Sequence, residues 1–292
     1  MKRIFLHIMG IATIILLAAL VTTGCGRRQG DGGSLQIKGS DTMVNLGQAW
    51  AEAFMKKNPT LSVAVTGGGS GTGIAALIAG TCDIAEISRE LKPEEIELAR
   101  QKGIEPRQIN VALDGLAVVV HPSNPVSQMT QDQLAAIFSG VLSNWKDVGG
   151  LDLPIVILSR EVNSGTHVYF KEHVLRRGKA DSQAEFAATA LMLPSSQAIA
   201  DEVAQNPGAI GYYGMGYVSP KQKVLAIARD NASPYFTPTL ETIVDNSYPI
   251  SRPLIMVSKG QPRGVTAKFI NFVLSDEGQK IVAAIDFVPL RK

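Results

Sequence analysis

Three turns in the sequence have residue types that suit the binding of a small anion. They are "GSDTM" at 39–43, "GGSGTG" at 68–73 and "REVNSGTH" at 160–167, and in each a Ser or Thr stands directly before a helical pattern. Such a residue is expected to be the N-cap, and the first N–H groups of the helix behind it have no intrahelical partner. These N–H groups and the helix dipole attract negative charge. The three turns therefore predict an anion site.

Two arginines follow strands close to these turns. Arg89 follows "DIAEIS", and Arg160 follows "PIVILS", four residues before Ser164. A guanidinium group presents a planar fork of donors that suits phosphate and carboxylate. The neighbouring acids Glu90 and Glu161 are alternative partners, so each arginine taken alone is as well explained by an ion pair.

The glycine-rich stretch 67–73 does not fit a nucleotide site. A P-loop has Lys after its last glycine, but Ile74 follows Gly73 here. "GTGIAA" matches the looser dinucleotide pattern, yet the next strand ends in Ser88 and Arg89, where an acidic ribose ligand is expected. We therefore predict that the protein uses no nucleotide or other cofactor.

An enzymatic alternative is an exported hydrolase that uses Ser70 or Ser164 as its nucleophile. "GGSGT" lacks the second glycine of the G-x-S-x-G elbow because Thr72 stands there. His167 lies beside the third turn and is the candidate base for this alternative. The three histidines after the N-terminal leader have no metal-ligand spacing, so no metal site is predicted.

Strands and helices alternate along the chain, which predicts an α/β fold. "SLQIKGS", "LSVAVT" and "DIAEIS" have strand patterns, and "MVNLGQAWAEAFMKK" and "GIAALIAG" have helical patterns between them. This order implies a mainly parallel sheet covered by helices, with ligands outside the carboxyl ends of its strands. A similar unit follows "GLAVVVHPSNP", and two helical segments close the chain, the second capped by Ser275.

The first residues have the features of an export signal. Two basic residues precede an apolar run from about Ile8 to Val21, and small residues lead from there to Cys25. The run is short for a membrane span and is followed by a polar stretch. Residues 1–24 are therefore predicted to be a signal peptide, and the mature protein is predicted to act outside the cytoplasm.

Cys25 is predicted to carry a lipid anchor that holds the protein at a bacterial membrane. The approach to this cysteine resembles a lipoprotein cleavage site, although Thr22 stands where such sites usually carry Leu, Val or Ile. An ordinary secretory signal with a chance cysteine is the alternative. Residues 25–33 have the composition of a flexible tether.

Length and charge narrow the class of protein. About 268 residues remain after the leader, enough for two domains of common size. In the mature chain 26 basic residues face 26 acidic ones, which argues against nucleic acid as a partner. Only Cys82 remains beside an acylated Cys25, so no disulfide framework is available, and Cys82 is expected to be a small buried residue.

Six segments together resemble the PstS family, the phosphate-binding proteins of bacterial phosphate ABC transporters. They are "GSDTM", "GGGSGTGIAALIAGTCDIAEISRE", "LAAIFSGVLSNWKDVGG", "SREVNSGTHVYF", "NPGAIGYYGMGYV" and "FINFVLSDEGQKIV", in order along the mature chain. The resemblance implies a two-lobed periplasmic-binding-protein fold of type II, with the ligand cleft between lobes joined by a two-strand hinge. Lobe 1 is predicted at 34–117 and 250–292, and lobe 2 at 118–249.

The resemblance also implies the residues that contact the anion. By position they are Ser40, Thr42, the Met43 amide, Ser70, Ser88, Arg89, Arg160, Ser164, Gly165 and Thr166. Longer members of the family have an aspartate, a proton acceptor for phosphate, where this chain and shorter relatives have Arg89. Asp41 is the nearest acid by sequence and is the predicted replacement acceptor, with Glu90 and Glu161 as rivals.

The expected function is that of a substrate-binding lipoprotein of an ABC importer. It would capture inorganic phosphate and deliver it to the membrane permease subunits, as a monomer and without catalysing a reaction. Two alternatives stay open at this point. The same architecture could select another oxyanion, such as sulfate, molybdate or tungstate, or the protein could be the exported hydrolase.

Overall fold

The structure, a computed structural model, describes residues 33–290. The predicted signal peptide, the lipid site at Cys25 and all of the tether except Gly33 lie outside the described residues. Within the described part of the chain, no helix has the length and apolar character needed to cross a membrane.

Helices and strands alternate as follows. The α-helices are α1 (Val44–Lys57), α2 (Ser70–Ile78), α3 (Pro93–Gln101), α4 (Gln131–Phe138), α5 (Gly165–Phe170), α6 (Ser196–Gln205), α7 (Leu240–Val244), α8 (Gly264–Val273) and α9 (Asp276–Ala284). The strands are β1 (Ser34–Gly39), β2 (Ser62–Thr66), β3 (Ile84–Ile87), β4 (Arg107–Val120), β5 (Gln128–Thr130), β6 (Val156–Arg160), β7 (Leu191–Leu193), β8 (Ala209–Gly214), β9 (Lys223–Val224), β10 (Ala226–Ala228) and β11 (Ser251–Ser258).

The main sheet has the strand order β2-β1-β3-β11-β4-β8-β6-β7, and β9 also pairs with β4. Strands β1, β2 and β3 are parallel to one another, as are β6, β7 and β8. In contrast, β11 is antiparallel to both β3 and β4, and β4 is antiparallel to β8. The sheet is therefore mixed, with a parallel set on each side of an antiparallel centre.

The core of lobe 1 follows from the periodicity of its elements. Leu46, Trp50 and Phe54 recur every four residues, so they share one face of α1 and are buried. Strand β1 buries Leu35 and Ile37 from alternate positions because successive side chains of a strand point to opposite faces. Helix and strand thus bury apolar surface against each other.

The core of lobe 2 is built around aromatic rings. Phe170 at the end of α5 stacks on Tyr212 of β8, with ring centroids 3.8 Å apart. Phe138, the last residue of α4, meets both rings edge to face. Aromatic pairs of this kind stabilise a core beyond the area that they bury.

Strand β4 changes partners along its length. Residues 107–115 pair with β11, and residues 116–120 pair with β8. The lobe boundaries expected at 117/118 and 249/250 lie within two residues of this change and of the start of β11. The division of the chain stays a prediction, and we keep the names lobe 1 and lobe 2 for the ranges given above.

The predicted α/β alternation is confirmed, and so is the Ser275 cap, whose Oγ accepts a hydrogen bond from the Gly278 N–H at 3.3 Å. Cys82 is buried as expected. The expectation of a mainly parallel sheet is wrong for the two central strands, β4 and β11. Strand β4 begins at Arg107, eight residues before the apolar run "GLAVVVHPSNP", because the mixed segment "RQINVALD" is ordered by pairing with β11.

Candidate functional site

Six buried hydroxyl side chains lie where the strands of the two lobes end. They are Ser40, Thr42, Ser70 and Ser88 of lobe 1 and Ser164 and Thr166 of lobe 2, and we call them the hydroxyl cluster. In lobe 1 the Ser40 hydroxyl donates to Ser88 Oγ at 2.9 Å. The Ser88 N–H donates to Ser70 Oγ at 3.1 Å, which joins the ends of β1 and β3 to the start of α2.

The hydroxyl cluster continues from one lobe to the other. Thr42 Oγ1 and Thr166 Oγ1 are 2.8 Å apart, within hydrogen-bonding distance. Gly165 brings the start of α5 against the serines of lobe 1: a Cβ at this position would collide with Ser70 Oγ and lie 2.8 Å from Ser88 Oγ. Glycine is therefore required here for the close approach of the two lobes.

The three turns at 39–43, 68–73 and 160–167, which we call the serine turns, differ in how they start their helices. Ser164 is the N-cap of α5, and its Oγ accepts from the His167 N–H at 3.4 Å, as predicted. The N-cap prediction is wrong for Ser70, which is the first residue of α2, because Gly69 precedes it at φ +89°, a conformation that favours glycine. Ser40 precedes a 3-10 turn, but its hydroxyl binds Ser88 and makes no cap bond.

The Met43 amide, an expected anion donor, is engaged within its own turn. Residues 41–43 form the 3-10 turn that leads into α1, and the Met43 N–H donates to the Ser40 carbonyl at 3.0 Å. Met43 itself is buried in the lobe 1 core. The turn therefore contributes its Thr42 hydroxyl to the cluster.

Arg160 lies at the end of β6 and is almost fully buried. Its guanidinium donates to Asp41 Oδ2 at 2.7 Å, to the Pro194 carbonyl at 2.9 Å and to Ser196 Oγ at 3.2 Å. Burial lowers the pKa of Arg160, and the Asp41 carboxylate opposes this shift. Asp41 Oδ1 also accepts from the Gly68 N–H at 2.9 Å, so this carboxylate joins both lobes to the glycine loop.

The structure does not bring Arg89 to the hydroxyl cluster. Its guanidinium binds both carboxylate oxygens of Glu95, at 2.8 and 2.6 Å, in the first turn of α3. Burial raises the pKa of Glu95, but the hydrogen bonds and charge of Arg89 outweigh it and leave this pKa below its usual value. The position of Arg89 at a strand end did not reveal this ion pair, because Glu95, six residues later, determines the direction of the Arg89 side chain.

Sequence reasoning missed Arg252 and Asp114, a fully buried ion pair beside the hydroxyl cluster. Arg252 of β11 lies opposite Asp114 of β4 in the sheet, and its Nε and Nη2 both donate to Asp114 Oδ2, at 3.0 and 2.8 Å. Nη2 also lies 3.4 Å from Thr42 Oγ1 and 3.0 Å from Thr166 Oγ1. The available signal was a charged residue directly beside an apolar run in each case, Asp114 before "GLAVVV" and Arg252 before "PLIMV".

His167 faces away from the serines that a hydrolase would use. Its Nδ1 lies 3.3 Å from Ser159 Oγ, and its ring packs on Phe186 with centroids 4.6 Å apart. Burial and the nearby charge of Lys171 lower the pKa of His167 to about 4. Among the described hydrogen bonds, none joins this imidazole to Ser70 or Ser164.

Comparison with known proteins shows the family of the chain. A family model described as a PBP superfamily domain matches residues 26–277. The phosphate-binding protein PstS of Pseudomonas aeruginosa is 31% identical over 281 residues, which cover 90% of this chain and 85% of that protein. PstS of Bacillus subtilis is 32% identical over 259 residues, with 88% and 81% covered. The chain belongs to the PstS family.

Solved structures of similar chains have the same two-lobed fold. A chain from Clostridium perfringens, described as a phosphate ABC transporter substrate-binding protein with bound phosphate, superposes with a TM-score of 0.78 at 34% identity. The match covers 88% of this chain and 100% of the other. An ABC-type phosphate transport receptor from Vibrio cholerae gives a TM-score of 0.70 at 30% identity, with 87% and 99% covered.

Proposed function

We propose that this protein is the substrate-binding component of an ABC importer and captures inorganic phosphate at the hydroxyl cluster. The observation that carries the proposal is that hydroxyl groups from both lobes, with Arg160 nearby, are brought together where the two lobes meet. The two PstS relatives are named phosphate-binding proteins, and the Clostridium perfringens structure contains phosphate, which supports the same ligand here.

Hydrogen bonding alone can supply the affinity that this role needs. A hydrogen bond to a charged group contributes about 1.5–3 kcal/mol, and micromolar binding needs about 8 kcal/mol. The hydroxyls of the cluster and the backbone N–H groups at the start of α5 provide several such donors. We propose that these donors contact phosphate together with Arg160. The Arg160 guanidinium would give up some of its present hydrogen bonds and donate to the anion instead.

The central test is titration of the purified protein with phosphate, followed by competition with sulfate, molybdate and tungstate. Phosphate is expected to bind most tightly. Arg160→Ala should weaken phosphate binding by about 2–4 kcal/mol, because a buried cation and its donors are lost. Arg100→Ala is the control, since Arg100 pairs with Glu105 at the surface. Preference for another oxyanion would overturn the proposed ligand.

Discrimination against sulfate needs an acceptor for the proton that phosphate retains near neutral pH. We propose Asp41 for this role, since Arg89 occupies the position of the family aspartate and is bound to Glu95. A carboxylate acceptor repels an oxygen that carries no proton. Such an acceptor therefore disfavours sulfate, whose oxygens are all unprotonated near neutral pH. Asp41→Asn is expected to improve sulfate binding and to narrow its difference from phosphate. Equal loss of both anions would show that Asp41 acts only by holding Arg160.

We also propose attachment to the membrane through Cys25 and delivery of phosphate to permease subunits. Metabolic labelling with a fatty acid should mark the wild type and fail to mark Cys25→Ser. The purified variant should bind phosphate as the wild type does, because the tether lies apart from the site in sequence. Turnover of a phosphate or carboxylate ester by the purified protein would contradict the proposal that it is a binding protein without catalytic activity.

A further inference from the structure

We infer that Arg252 is a positioning residue that leaves one hydroxyl hydrogen of the Thr42–Thr166 pair free and directs it toward the bound anion. The inference rests on the proposed function, since it concerns the same site. It adds a role for a residue that lies on β11, far in sequence from the three serine turns. It also explains why a buried ion pair stands where the two lobes meet.

The contacts of Arg252 extend to both lobes. Its Nη1 donates to the Ser88 carbonyl at 2.9 Å, and its Nη2 donates to Thr166 Oγ1 at 3.0 Å and more weakly to Thr42 Oγ1 at 3.4 Å. The guanidinium also lies 5.6 Å from the ring centroid of Tyr169, which gives a cation–π contact. One side chain thus contacts two turns of lobe 1 and one helix of lobe 2.

The hydrogen bonding of the threonine pair follows from the chemistry of its neighbours. A hydroxyl has one hydrogen to donate and two lone pairs to accept, whereas a guanidinium group only donates. Neither Thr42 nor Thr166 can therefore donate to Arg252. Their separation of 2.8 Å leaves room for one hydroxyl to donate to the other. The second hydrogen of the pair is then available to an anion, and donation from Arg252 polarises it.

Asp114 fixes the guanidinium in this orientation. Two donors of Arg252 converge on Asp114 Oδ2, and Asp114 Oδ1 accepts from the Met215 N–H at 3.0 Å. The acid and the base lie opposite each other on the paired strands β4 and β11. A lysine could balance the charge of Asp114, but a single ammonium cannot present donors to all four acceptors in the plane of a guanidinium group.

A double-mutant cycle tests whether Arg252 acts through the threonine hydroxyls. Phosphate affinity is measured by calorimetry for the wild type and Arg252→Lys, and for the same pair in a Thr42→Val/Thr166→Val background. In the wild-type background we expect Arg252→Lys to weaken binding about tenfold or more. In the valine background the same substitution should change affinity less than about threefold. Arg176→Lys, which alters an ion pair with Glu185 and, within the described part of the chain, touches no residue of the hydroxyl cluster, should leave affinity within about twofold.

Each outcome of the cycle has a distinct meaning. An equal effect of Arg252→Lys in both backgrounds, or wild-type affinity of Arg252→Lys, would overturn the inference. Should Arg252→Lys not fold, Asp114→Asn gives the second measurement. We expect Asp114→Asn to weaken phosphate binding about fivefold in the wild-type background and less in the valine background. An unchanged phosphate affinity of Asp114→Asn would overturn the inference. A wild type that binds sulfate but not phosphate contradicts the proposed ligand, and the same cycle with sulfate then decides the role of Arg252. A wild type that binds neither overturns both.

Discussion

Each of the two arginines of the site is held by a carboxylate. Arg160 binds Asp41, and Arg252 binds Asp114, with all four groups mostly or fully buried. Such pairs add little net stability, because removing two charges from water costs about as much as their attraction returns. Their value here lies in orientation, since the positive charges are balanced and the donors are fixed before an anion arrives. An anion would then be bound through directed hydrogen bonds more than through net charge.

Glu86 carries a pH-dependent contribution to stability. This residue of β3 is fully buried under Gly47 of α1, and neither of its carboxyl oxygens has a hydrogen-bond partner within the described structure. Burial raises the pKa of Glu86 from 4.5 to about 8. The folded protein therefore holds this proton more tightly than the unfolded chain does. The associated stability is complete below about pH 4.5 and is lost as the pH rises toward 8.

Glu86→Gln removes this dependence because an amide does not titrate. Between pH 5 and pH 8 the free energy of unfolding of the variant should rise relative to the wild type, by at most about 1.4 kcal/mol for each pH unit. Urea unfolding at several pH values provides the measurement. Glu52→Gln, at an exposed position on α1, is the control and should run parallel to the wild type. Parallel curves for Glu86→Gln would show that its carboxyl group does not titrate in this range.

At the scale of elements, the packing of α2 on β1 depends on Gly73. A Cβ at this position would lie 2.5 Å from the Lys38 carbonyl oxygen and 2.7 Å from the Gly39 Cα. Both are backbone atoms, which cannot move aside as a flexible side chain can. Gly73→Ala is therefore expected to lower the free energy of unfolding by about 1–3 kcal/mol, as overpacking of a core typically does.

Gly71→Ala, in the same helix, is the matched control for Gly73→Ala. The free energy of unfolding of both variants is measured by chemical denaturation. A Cβ at Gly71 would lie 3.2 Å from the Asn163 carbonyl oxygen, a tight contact that a small shift between the lobes can relieve. We expect Gly71→Ala to cost less than Gly73→Ala. Equal losses for the two variants would mean that the contact of the added methyl group with β1 carries no cost of its own, since helix propensity and unfolded-chain entropy favour Ala over Gly at both positions.

The sequence was most informative where structure depends on local chemistry. The helical pattern of α1, the caps at Ser164 and Ser275, and the placement of the serine turns at strand ends followed from neighbouring residues. Partners distant in sequence were not predictable in this way. Arg252 meets Asp114 only because β11 lies beside β4, although 138 positions separate the two residues in the chain. The mixed character of the sheet was missed for the same reason.

At the scale of the molecule, the contact between the lobes is expected to set the affinity. The Tyr217 hydroxyl of lobe 2 donates to the Asp41 carbonyl of lobe 1 at 2.7 Å. Tyr217→Phe removes this hydrogen bond and leaves the hydroxyl cluster intact. Because one hydrogen bond contributes about 1 kcal/mol, phosphate binding should weaken about fivefold, mainly through faster dissociation.

Tyr235→Phe serves as the control, since Tyr235 is exposed at the surface of lobe 2. Stopped-flow release of phosphate from both variants gives the dissociation rates. If Tyr217→Phe releases phosphate at the rate of the control, the Tyr217 hydroxyl contributes nothing to holding the lobes together.

The position of β11 also has a consequence for how the protein folds. Ile87 of β3 pairs with Ile255 of β11, so one edge of β3 has no strand beside it until the last part of the chain has been synthesised. Chains grow from the N-terminus, and pairings between residues so far apart in sequence form slowly. During that interval β3 presents an unpaired and largely apolar edge, which is the kind of surface at which chains aggregate. The pairing of β11 with β3 is thus the step that removes this edge from the surface of the growing chain.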